Sequence, residues 1–356
     1  MAEDPLISVI VPMFNSKETI GHTLESIRSQ EGNFEVLVVD DGSTDSSAQI
    51  VYDFAERDRR IHRLPLNSNQ GHGPARNHGI AMANGQYFVF VDADDELLPG
   101  AIANITAQIN LTQPDVLLIG CVEKKRGKTR PLTDHSLLKR LNASEESWSV
   151  FSHPELLVWP AATWAKVYRR EFIEHERIRF PGGFHQDIPW SLLTTLKARS
   201  VSAVAEDCYL YVRRGAGSST TNLMSPRTLA RIDQVKLVRE TVNVGSLPPR
   251  VGAFLTAMCS VHLLWGLLAA YRTVPEDLRL EHFKRTATEF AHWSSQGIPP
   301  IDIKTEPLFP TRERISLSRV LSKGNYETWR NAMVRREKRL RFVRRFDFSR
   351  YRLLSR

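Results

Sequence analysis

The chain alternates between short apolar runs and amphipathic stretches that are separated by polar breaks. Apolar residues recur at helical spacing between the runs, for example Ile20, Leu24 and Ile27 at i, i+4 and i+7. Five runs predict buried strands, at residues 6–11, 34–39, 61–66, 87–91 and 115–122. Strands that alternate with helices at this spacing predict an α/β fold, with a mostly parallel sheet and helices on both faces.

The last third of the chain has a different pattern. Helical spacing replaces the alternation, which predicts an α/β domain at residues 1–222, a helical region at 223–325 and a tail at 326–356. The run 251–271 carries no formal charge over 21 residues and is long enough to cross a bilayer. Its polar and glycine residues favour a buried helix, or a helix in an oligomer interface, over a membrane span. The polar stretch 123–150 predicts a loop or flap.

Composition and charge narrow the functional class. The apolar fraction of 42% and the charged fraction of 25% are ordinary for a globular protein, and the acidic opening does not resemble a secretory signal. The three cysteines lie far apart without a CxxC spacing, which argues against a zinc site or disulfides and fits a cytoplasmic location.

The tail holds the whole excess of positive charge. Residues 326–356 contain eleven basic and three acidic residues, which accounts for the entire formal net charge of +8. With Trp329 and Phe346 between the arginines, this segment predicts a basic amphipathic helix on an anionic membrane surface. A solvated helix that packs on its own domain is the alternative. No nucleic-acid-binding motif accompanies the charge, so we expect no nucleic-acid partner.

Polar residues follow three of the predicted strands directly, at residues 12–15, 40–41 and 92–94. Ligands of open α/β sheets bind beyond the carboxyl ends of the strands, so these breaks should meet at one crevice. Asp92 and Asp94 are two apart and would project together, as ligands for Mg²⁺ or Mn²⁺ or as caps of a turn. The first strand is not followed by GxGxxG, which argues against a dinucleotide or a P-loop site.

Several motifs carry a family resemblance when they are taken in order. These are VIVPMFN, VVDDGSTD, NQGHGPARNHGI, FVFVDADDEL, KVYRREFI and HQDIPW, between residues 9 and 190. The set resembles the inverting family 2 glycosyltransferases of the GT-A fold, of the type that builds bacterial cell-surface polysaccharide or teichoic acid. The resemblance extends over residues 6 to about 222.

The resemblance implies roles for residues around a nucleotide-sugar donor. Asp41 would accept the N3–H of a uracil base, and Arg76 would contact the nucleotide or position the Asp92 and Asp94 carboxylates. For Phe14, packing in the core remains an alternative to contact with the base. The full set of implied donor-binding residues is Pro12, Phe14, Asn15, Asp41, Asn69, Arg76, Asp92, Ala93 and Arg214.

The remaining implied roles concern the metal, the base and the acceptor. Asp94 and Asp92 would hold Mn²⁺ or Mg²⁺, and Asp187 would take the proton of the acceptor hydroxyl. Asp187 also fits a helix N-cap, and the family usually has Glu where this chain has Gln186. The acceptor would be bordered by Trp164, Lys166, His185 and Trp190.

The implied protein is an inverting, metal-dependent hexosyl- or N-acetylhexosaminyltransferase. Its donor would be a UDP-sugar and its acceptor a hydroxyl of a cell-surface glycan or teichoic-acid-like polymer. Two alternatives remain open: transfer to a polyprenyl-phosphate-linked acceptor at the membrane, and a non-catalytic module that binds nucleotide or glycan. We expect a cytoplasmic protein, peripheral on the inner face of the membrane, that is able to form homo-oligomers.

Overall fold

A computed structural model describes residues 4–143, 148–214, 227–295 and 326–333. The chain divides into two compact units, Met1–Ser218 and Ser219–Arg356.

The first unit is built on one mixed sheet. Its strand order is β3-β2-β1-β4-β8-β6-β9-β5, with β7 paired to β6. The strands are β1 Ile7–Met13, β2 Phe34–Asp40, β3 Ile61–Pro65, β4 Tyr87–Phe90, β5 Glu96–Leu97, β6 Val116–Lys125, β7 Lys128–Pro131, β8 Lys166–Arg169 and β9 Val201–Arg213. β3, β2, β1 and β4 are parallel, whereas β8 runs antiparallel between β4 and β6. The α/β class is confirmed, although the sheet is more mixed than the apolar runs predict.

Helices cover this sheet between its strands. They are α1 Ile20–Arg28, α2 Ser47–Ala55, α3 His72–Met82, α4 Ala101–Thr112, α5 His135–Asn142, α6 Arg170–His175 and α7 Asp187–Lys197. The apolar face predicted for α1 is buried through Ile20, Leu24 and Ile27. α3 packs on β1 and β2, which places the beginning of α3 beside the carboxyl ends of these strands.

The polar stretch after residue 122 is more ordered than the sequence pattern predicts. β6 continues to Lys125 and forms a hairpin with β7, and Asp134 caps α5 by accepting hydrogen bonds from the Ser136 and Leu137 amides. The prediction of a loop at residues 123–150 is therefore wrong for its first twenty residues, which form a hairpin and a helix. The helix α5 has a buried apolar face, which its polar flanks conceal in the sequence.

The second unit is helical. It contains α8 Arg227–Thr241, α9 Pro249–Thr273 and α10 Glu276–Ser294, which pack on one another. α9 includes a 20-residue stretch, Pro249–Leu268, that by length and composition alone could cross a membrane, and 56% of an 18-residue window within it is buried. This burial agrees with the expectation of a packed helix.

The described part of the tail is a short helix at residues 326–333. Trp329 and Met333 are buried, and the Trp329 ring contacts Tyr271 and Phe283 in the same unit. Trp329 therefore packs on its own unit, as the alternative for this segment predicts, and does not face a membrane surface. The rest of the basic segment, including Phe346, lies outside the described residues.

Candidate active site

Asp92, Ala93 and Asp94 follow β4 after one residue, Val91, at the carboxyl edge of the parallel strands. Asp92 Oδ1 accepts a hydrogen bond of 2.7 Å from Arg76 Nη2. Arg76 is 5% exposed, and its guanidinium lies 5.5 Å from the ring centre of Phe180. Arg76 is expected to contact the nucleotide or to position the carboxylates. The structure shows its contact with the Asp92 carboxylate.

Asp94 is the more exposed carboxylate of the pair, and it faces a cation of the protein itself. Arg214 Nη1 lies 3.4 Å from Asp94 Oδ2. Burial raises the pKa of Asp94, and the negative charge of Asp92 raises it further, while the charge of Arg214 acts in the opposite direction. A second cation near Asp92 and Asp94 would therefore relieve repulsion between two carboxylates.

Asp95 connects this turn to strand β9. The carboxyl group is fully buried, and it accepts hydrogen bonds of 2.8 Å from the Tyr209 hydroxyl and from the Val212 amide. The Tyr209 hydroxyl also accepts a hydrogen bond from the Asp92 amide. Because Val212 lies two residues before Arg214, this network fixes the end of β9 beside Asp94.

The first predicted donor loop begins later than the sequence suggests. β1 continues through Pro12, which is buried and lies opposite Val39. Phe14 is 40% exposed, which excludes core packing as its role. Asn15 adopts a positive φ of 46°, and its side-chain oxygen accepts a hydrogen bond from the Thr44 amide. The loop that presents Phe14 is thus held against the turn after β2.

Asp41 holds the loop that leads into α3. The carboxylate is buried, and its two oxygens accept hydrogen bonds of 2.8 Å from the amides of Gln70 and Gly71. Contact with a base remains a prediction for Asp41, since each carboxylate oxygen can accept a second donor. Asn69 is exposed in the same loop.

The segment that carries Asp187 packs against the beginning of α3. Asn77 forms two hydrogen bonds with the backbone of Phe180, of 2.8 and 2.9 Å. A Cβ atom at Gly73 would lie 2.5 Å from the Pro181 carbonyl oxygen, so only glycine allows this close approach. Asp187 is the first residue of α7, where the helix dipole favours a carboxylate. The segment that leads to the base candidate is thereby held against the helix that carries Arg76.

Trp164 belongs to a cluster of stacked aromatic rings. Its ring lies nearly parallel to the rings of Tyr209 and Tyr211, at centroid distances of 4.7 and 5.7 Å. Trp164 and Tyr211 are half-buried, whereas Tyr209 is fully buried. Aromatic faces suit the apolar C–H faces of sugars, so this cluster fits the acceptor role expected for Trp164.

Two other acceptor candidates do not have surfaces that could touch a ligand. Trp190 is buried and stacks on Phe180 at 3.8 Å. Lys166 is 0% exposed, and its ammonium donates to Pro160 O and Ser191 Oγ. Direct contact with an acceptor does not fit this burial, because both side chains point into the protein. His185 is half-buried, with a positive φ of 61°.

The residues at the end of β4 fit a divalent cation that also binds substrate. Among the described residues, no group of three or more His, Cys, Asp or Glu side chains is arranged so that it could hold a metal ion by itself. Two carboxylates are nevertheless a common protein contribution where substrate phosphates complete the coordination of Mg²⁺ or Mn²⁺.

Sequence reasoning overlooked three residues of this site: Asp95, Tyr209 and Tyr211. Asp95 is the last residue of the motif DADD. Nothing in this motif indicates that its third carboxylate is buried. Tyr209 and Tyr211 alternate in the run YLYV and share one face of β9, which could have suggested a platform beside Trp164.

Comparison with known proteins finds similarity to one family over the first part of the chain. Residues 8–170 match the family model described as glycosyl transferase family 2. The chain is 32% identical over 216 residues to the uncharacterized glycosyltransferase EpsJ of Bacillus subtilis, which covers 58% of this chain and 61% of the relative. It thus matches about three fifths of that relative's length.

A second relative is also known as a structure. The chain is 30% identical over 216 residues to poly(ribitol-phosphate) beta-N-acetylglucosaminyltransferase TarS of Staphylococcus aureus, over 59% of this chain and 36% of TarS. The crystal structure of S. aureus TarS 1-349 in complex with UDP-GlcNAc is similar with a TM-score of 0.69 and 21% identity, over 93% of this chain and 91% of that one.

A more distant structure contains a metal. The mannosyltransferase PcManGT from Pyrobaculum calidifontis, in complex with GDP-Man and Mn²⁺, matches with a TM-score of 0.51 and 18% identity. The match covers 94% of this chain and 85% of that chain. These two structural matches establish the GT-A-like fold of this chain.

Proposed function

Residues 8–170 match the model of the family 2 glycosyltransferases, and from that premise we propose that this chain transfers a sugar from a UDP-sugar to a hydroxyl group, with inversion at the anomeric carbon. The acceptor we propose is a teichoic-acid-like polymer or a related cell-surface glycan. The observation that carries the proposal is that Arg76 contacts both Asp92 and Phe180, a residue of the segment before Asp187. The backbone of Phe180 also bonds to Asn77, and these contacts support the proposal that the carboxylate pair and Asp187 act in one crevice.

The donor half of the proposal has two supports. The crystal structures of the similar protein TarS contain UDP and UDP-GlcNAc. In this chain, Phe14 is exposed beside the turn after β2, where Asp41 anchors the loop of Asn69. A flat ring and a buried carboxylate are suited to bind the face and the edge of a uracil base.

Asp92 and Asp94 would hold Mn²⁺ or Mg²⁺ together with the phosphates of the donor. When it is bound, the cation neutralises negative charge on the departing diphosphate. Arg76 orients Asp92 through the hydrogen bond between them, and Arg214 lies where its charge can reach the same phosphates. Small Ala93 would leave room for the nucleotide.

Asp187 is the proposed base of the reaction. It would accept the proton of the acceptor hydroxyl as that oxygen attacks the anomeric carbon from the face opposite the diphosphate. A single displacement of this kind inverts the configuration. Gln186 is buried against α3, and a neutral amide at this place avoids a buried negative charge beside the base.

The first experiment is a thermal-shift scan with UDP, GDP, CDP and TDP, each with and without Mn²⁺. A ligand at about 100 times its dissociation constant stabilises the folded protein by roughly 2.7 kcal/mol. We expect stabilisation by UDP that depends on Mn²⁺. Absence of a shift with every nucleotide would instead favour a different ligand for this crevice.

Three variants then assign the chemistry. Asp94→Asn should lose the Mn²⁺-dependent shift and the transfer of sugar. Asp187→Asn should retain the shift with UDP and Mn²⁺ but lose transfer and hydrolysis of the donor. Asp207→Asn is the control, since Asp207 pairs with His135 rather than with a residue of the crevice. Turnover by Asp187→Asn would exclude Asp187 as the base, and a wild-type protein that binds UDP without turnover would be a binding module.

The acceptor is identified by competition between two substrates. We expect transfer to a soluble polymer of poly(ribitol-phosphate) type, because TarS carries that acceptor in its name. Transfer only to a detergent-dispersed polyprenyl-linked glycan would support the membrane alternative. In that case a chain that ends at Met333, and so keeps the buried Trp329, should lose flotation with anionic liposomes, whereas unchanged flotation would exclude the basic tail as a membrane anchor.

A further inference from the structure

Lys166 is a lysine that the proposed chemistry does not use, although it lies next to the site. It is the first residue of β8, and the pairing of Val167 with Val89 places it toward the end of β4 that leads to Asp92. Its side chain is completely buried. Lysine is seldom fully buried unless it has a partner, so this position requires an explanation.

The ammonium of Lys166 joins two separate segments of the site. It donates one hydrogen bond of 3.0 Å to Pro160 O and another of 2.5 Å to Ser191 Oγ. Ser191 lies one helical turn after Asp187 in α7, so both side chains are on the same face of the helix. Lys166 therefore contacts the turn of α7 that presents the base candidate.

The second segment, residues 159–165, carries Trp164 and is held from inside the protein. Besides the bond from Lys166 to Pro160, Trp159 Nε1 donates to Ala165 O, and the Tyr168 hydroxyl donates to Thr163 O. Lys166 thus links this aromatic segment to α7, because its ammonium donates one hydrogen bond to Pro160 in the segment and one to Ser191 in the helix.

The charge of Lys166 interacts with Asp187. Burial lowers the pKa of Lys166 to about 7, while the Cys121 thiol on β6 and the Asp187 carboxylate on α7 act in the opposite direction. These two are the titratable groups that act on Lys166 within the described residues. Attraction between charges is reciprocal, so a charged Lys166 favours the ionised form of Asp187.

We propose that Lys166 is a positioning residue for the base Asp187, rather than a ligand of the acceptor. It fixes the first turn of α7 relative to the Trp164 segment, and its ammonium stabilises the carboxylate form that accepts a proton. This role rests on the proposed function, because it assigns Lys166 a task in that same reaction.

The pH dependence of turnover tests the electrostatic part of the role. In Lys166→Met we expect kcat at pH 7 to fall at least tenfold, with unchanged affinity for UDP. The acid limb of kcat should move to higher pH, because Asp187 loses a neighbouring positive charge. Wild-type kcat should decline as pH rises past 7, where Lys166 loses its proton, and Lys166→Met should lack that decline.

Two further variants separate charge from packing. Ser191→Ala removes one bond but keeps the ammonium, so we expect a lower kcat with both pH limbs in place. Lys197→Met removes a lysine at the other end of α7, where it pairs with Glu176, and should leave the profile unchanged. A Lys166→Met profile with the shape of the wild type would overturn the proposal, and so would a wild-type kcat in Ser191→Ala.

A double-mutant cycle tests the same coupling without any substrate. At pH 6, Asp187→Asn should lower the melting temperature more in the wild-type background than in Lys166→Met, since only the former has a buried ammonium left without its anion. Additive shifts would overturn the inference. Non-additive shifts in a protein that transfers no sugar would mean that the proposed function fails while the coupling of Lys166 with Asp187 stands.

Discussion

Arg214 Nη1 lies 3.4 Å from Asp94 Oδ2 at the point where β9 ends, so a side chain of the protein faces the carboxylate that should bind a cation. The partners are partly exposed, by 36% and 47% of their side chains, so this ion pair stabilises the fold by less than about 1 kcal/mol. A divalent cation at Asp94 carries twice the charge of Arg214 and would displace it at little cost. The released guanidinium would then lie beside the phosphates that follow the cation.

Arg214→Ala should therefore separate metal binding from nucleotide binding. We expect the affinity for Mn²⁺ alone to stay the same or to increase by less than about fivefold, since only a weak competitor is lost. The affinity for UDP in the presence of Mn²⁺ should fall roughly tenfold, because a hydrogen bond to a charged group contributes about 1.5–3 kcal/mol. Titration calorimetry measures both quantities.

Arg213→Ala is the matched control for that measurement. Arg213 precedes Arg214 but pairs with Glu123 on β6, at 3.2 Å. Its loss should leave the affinities for Mn²⁺ and for UDP unchanged. Equal UDP binding by Arg214→Ala and the wild type would mean that Arg214 does not reach the diphosphate.

Trp164→Ala should weaken binding of the acceptor and leave binding of the donor intact. The Trp164 ring stacks on Tyr209 and Tyr211, and such aromatic pairs contribute about 0.5–1.5 kcal/mol beyond the area they bury. We expect the KM for the acceptor to rise about tenfold and the KM for the UDP-sugar to stay the same, as measured by steady-state kinetics. Tyr211→Ala should have the same selective effect.

Trp159→Phe is the control for Trp164→Ala. Trp159 lies in the same segment, but it is buried and bonds to Ala165 O. Its substitution should lower the melting temperature without a selective rise in the acceptor KM. A Trp164→Ala variant with wild-type kinetics for the acceptor would exclude the aromatic cluster as the acceptor surface.

The crevice could be predicted from the sequence because it follows from a rule about neighbouring strands. Parallel strands end at one edge of a sheet, so the polar breaks after β1, β2 and β4 had to meet there. The hydrogen bond between Arg76 and Asp92 and the exposure of Phe14 agree with that reasoning. The class of fold follows from the same alternation of strands and helices.

The burial of Lys166 could not be predicted in this way. The run WPAATWAKVYRREF contains aromatic and basic residues that look like a surface for a sugar. Which of them face inward depends on β8 pairing antiparallel with β4, almost eighty residues earlier in the chain. The contact of Asp95 with Val212 spans 117 residues and depends on a pairing of β5 with β9 that no local pattern indicates.

Two helical glycines allow a direct test of how tightly α3 packs on the sheet. A Cβ at Gly79 would lie 2.5 Å from Ile10 Cγ2, whereas a Cβ at Gly21 in α1 would have its nearest neighbour at 3.9 Å. Gly79→Ala should reduce the free energy of unfolding by about 1–3 kcal/mol through overpacking. Gly21→Ala should instead increase it by about 0.5–1 kcal/mol, because alanine favours the helix.

Urea denaturation of both glycine variants measures this difference. Because α3 carries Arg76 and begins at the loop that Asp41 holds, Gly79→Ala should also weaken UDP binding, while Gly21→Ala should not. Stabilisation by both substitutions would show that β1 can move away from α3 at no cost, and would remove close packing as the reason for a glycine at position 79.

Asp95 should make the stability of the metal-free protein depend on pH. Burial and the charges of Asp92 and Asp94 raise the pKa of Asp95 to about 8, well above that of an exposed aspartate. The folded state therefore binds a proton that the unfolded state releases, and stability falls as pH rises from about 4 to 8. Asp95→Asn stays neutral, so its free energy of unfolding relative to the wild type should increase between pH 5 and 8, by at most about 1.4 kcal/mol per pH unit.

Urea titrations at pH 5 and 8 without divalent cations, compared with those of Asp58→Asn, isolate this effect. The hydrogen bond from Arg60 lowers the pKa of Asp58 below its usual value, so Asp58 is ionised in both states throughout this range. The difference between Asp58→Asn and the wild type should therefore be the same at both pH values. A constant difference for Asp95→Asn as well would mean that Asp95 is already ionised at pH 5. The hydrogen bonds from Tyr209 and Val212 would then be enough to stabilise a third carboxylate beside Asp92 and Asp94.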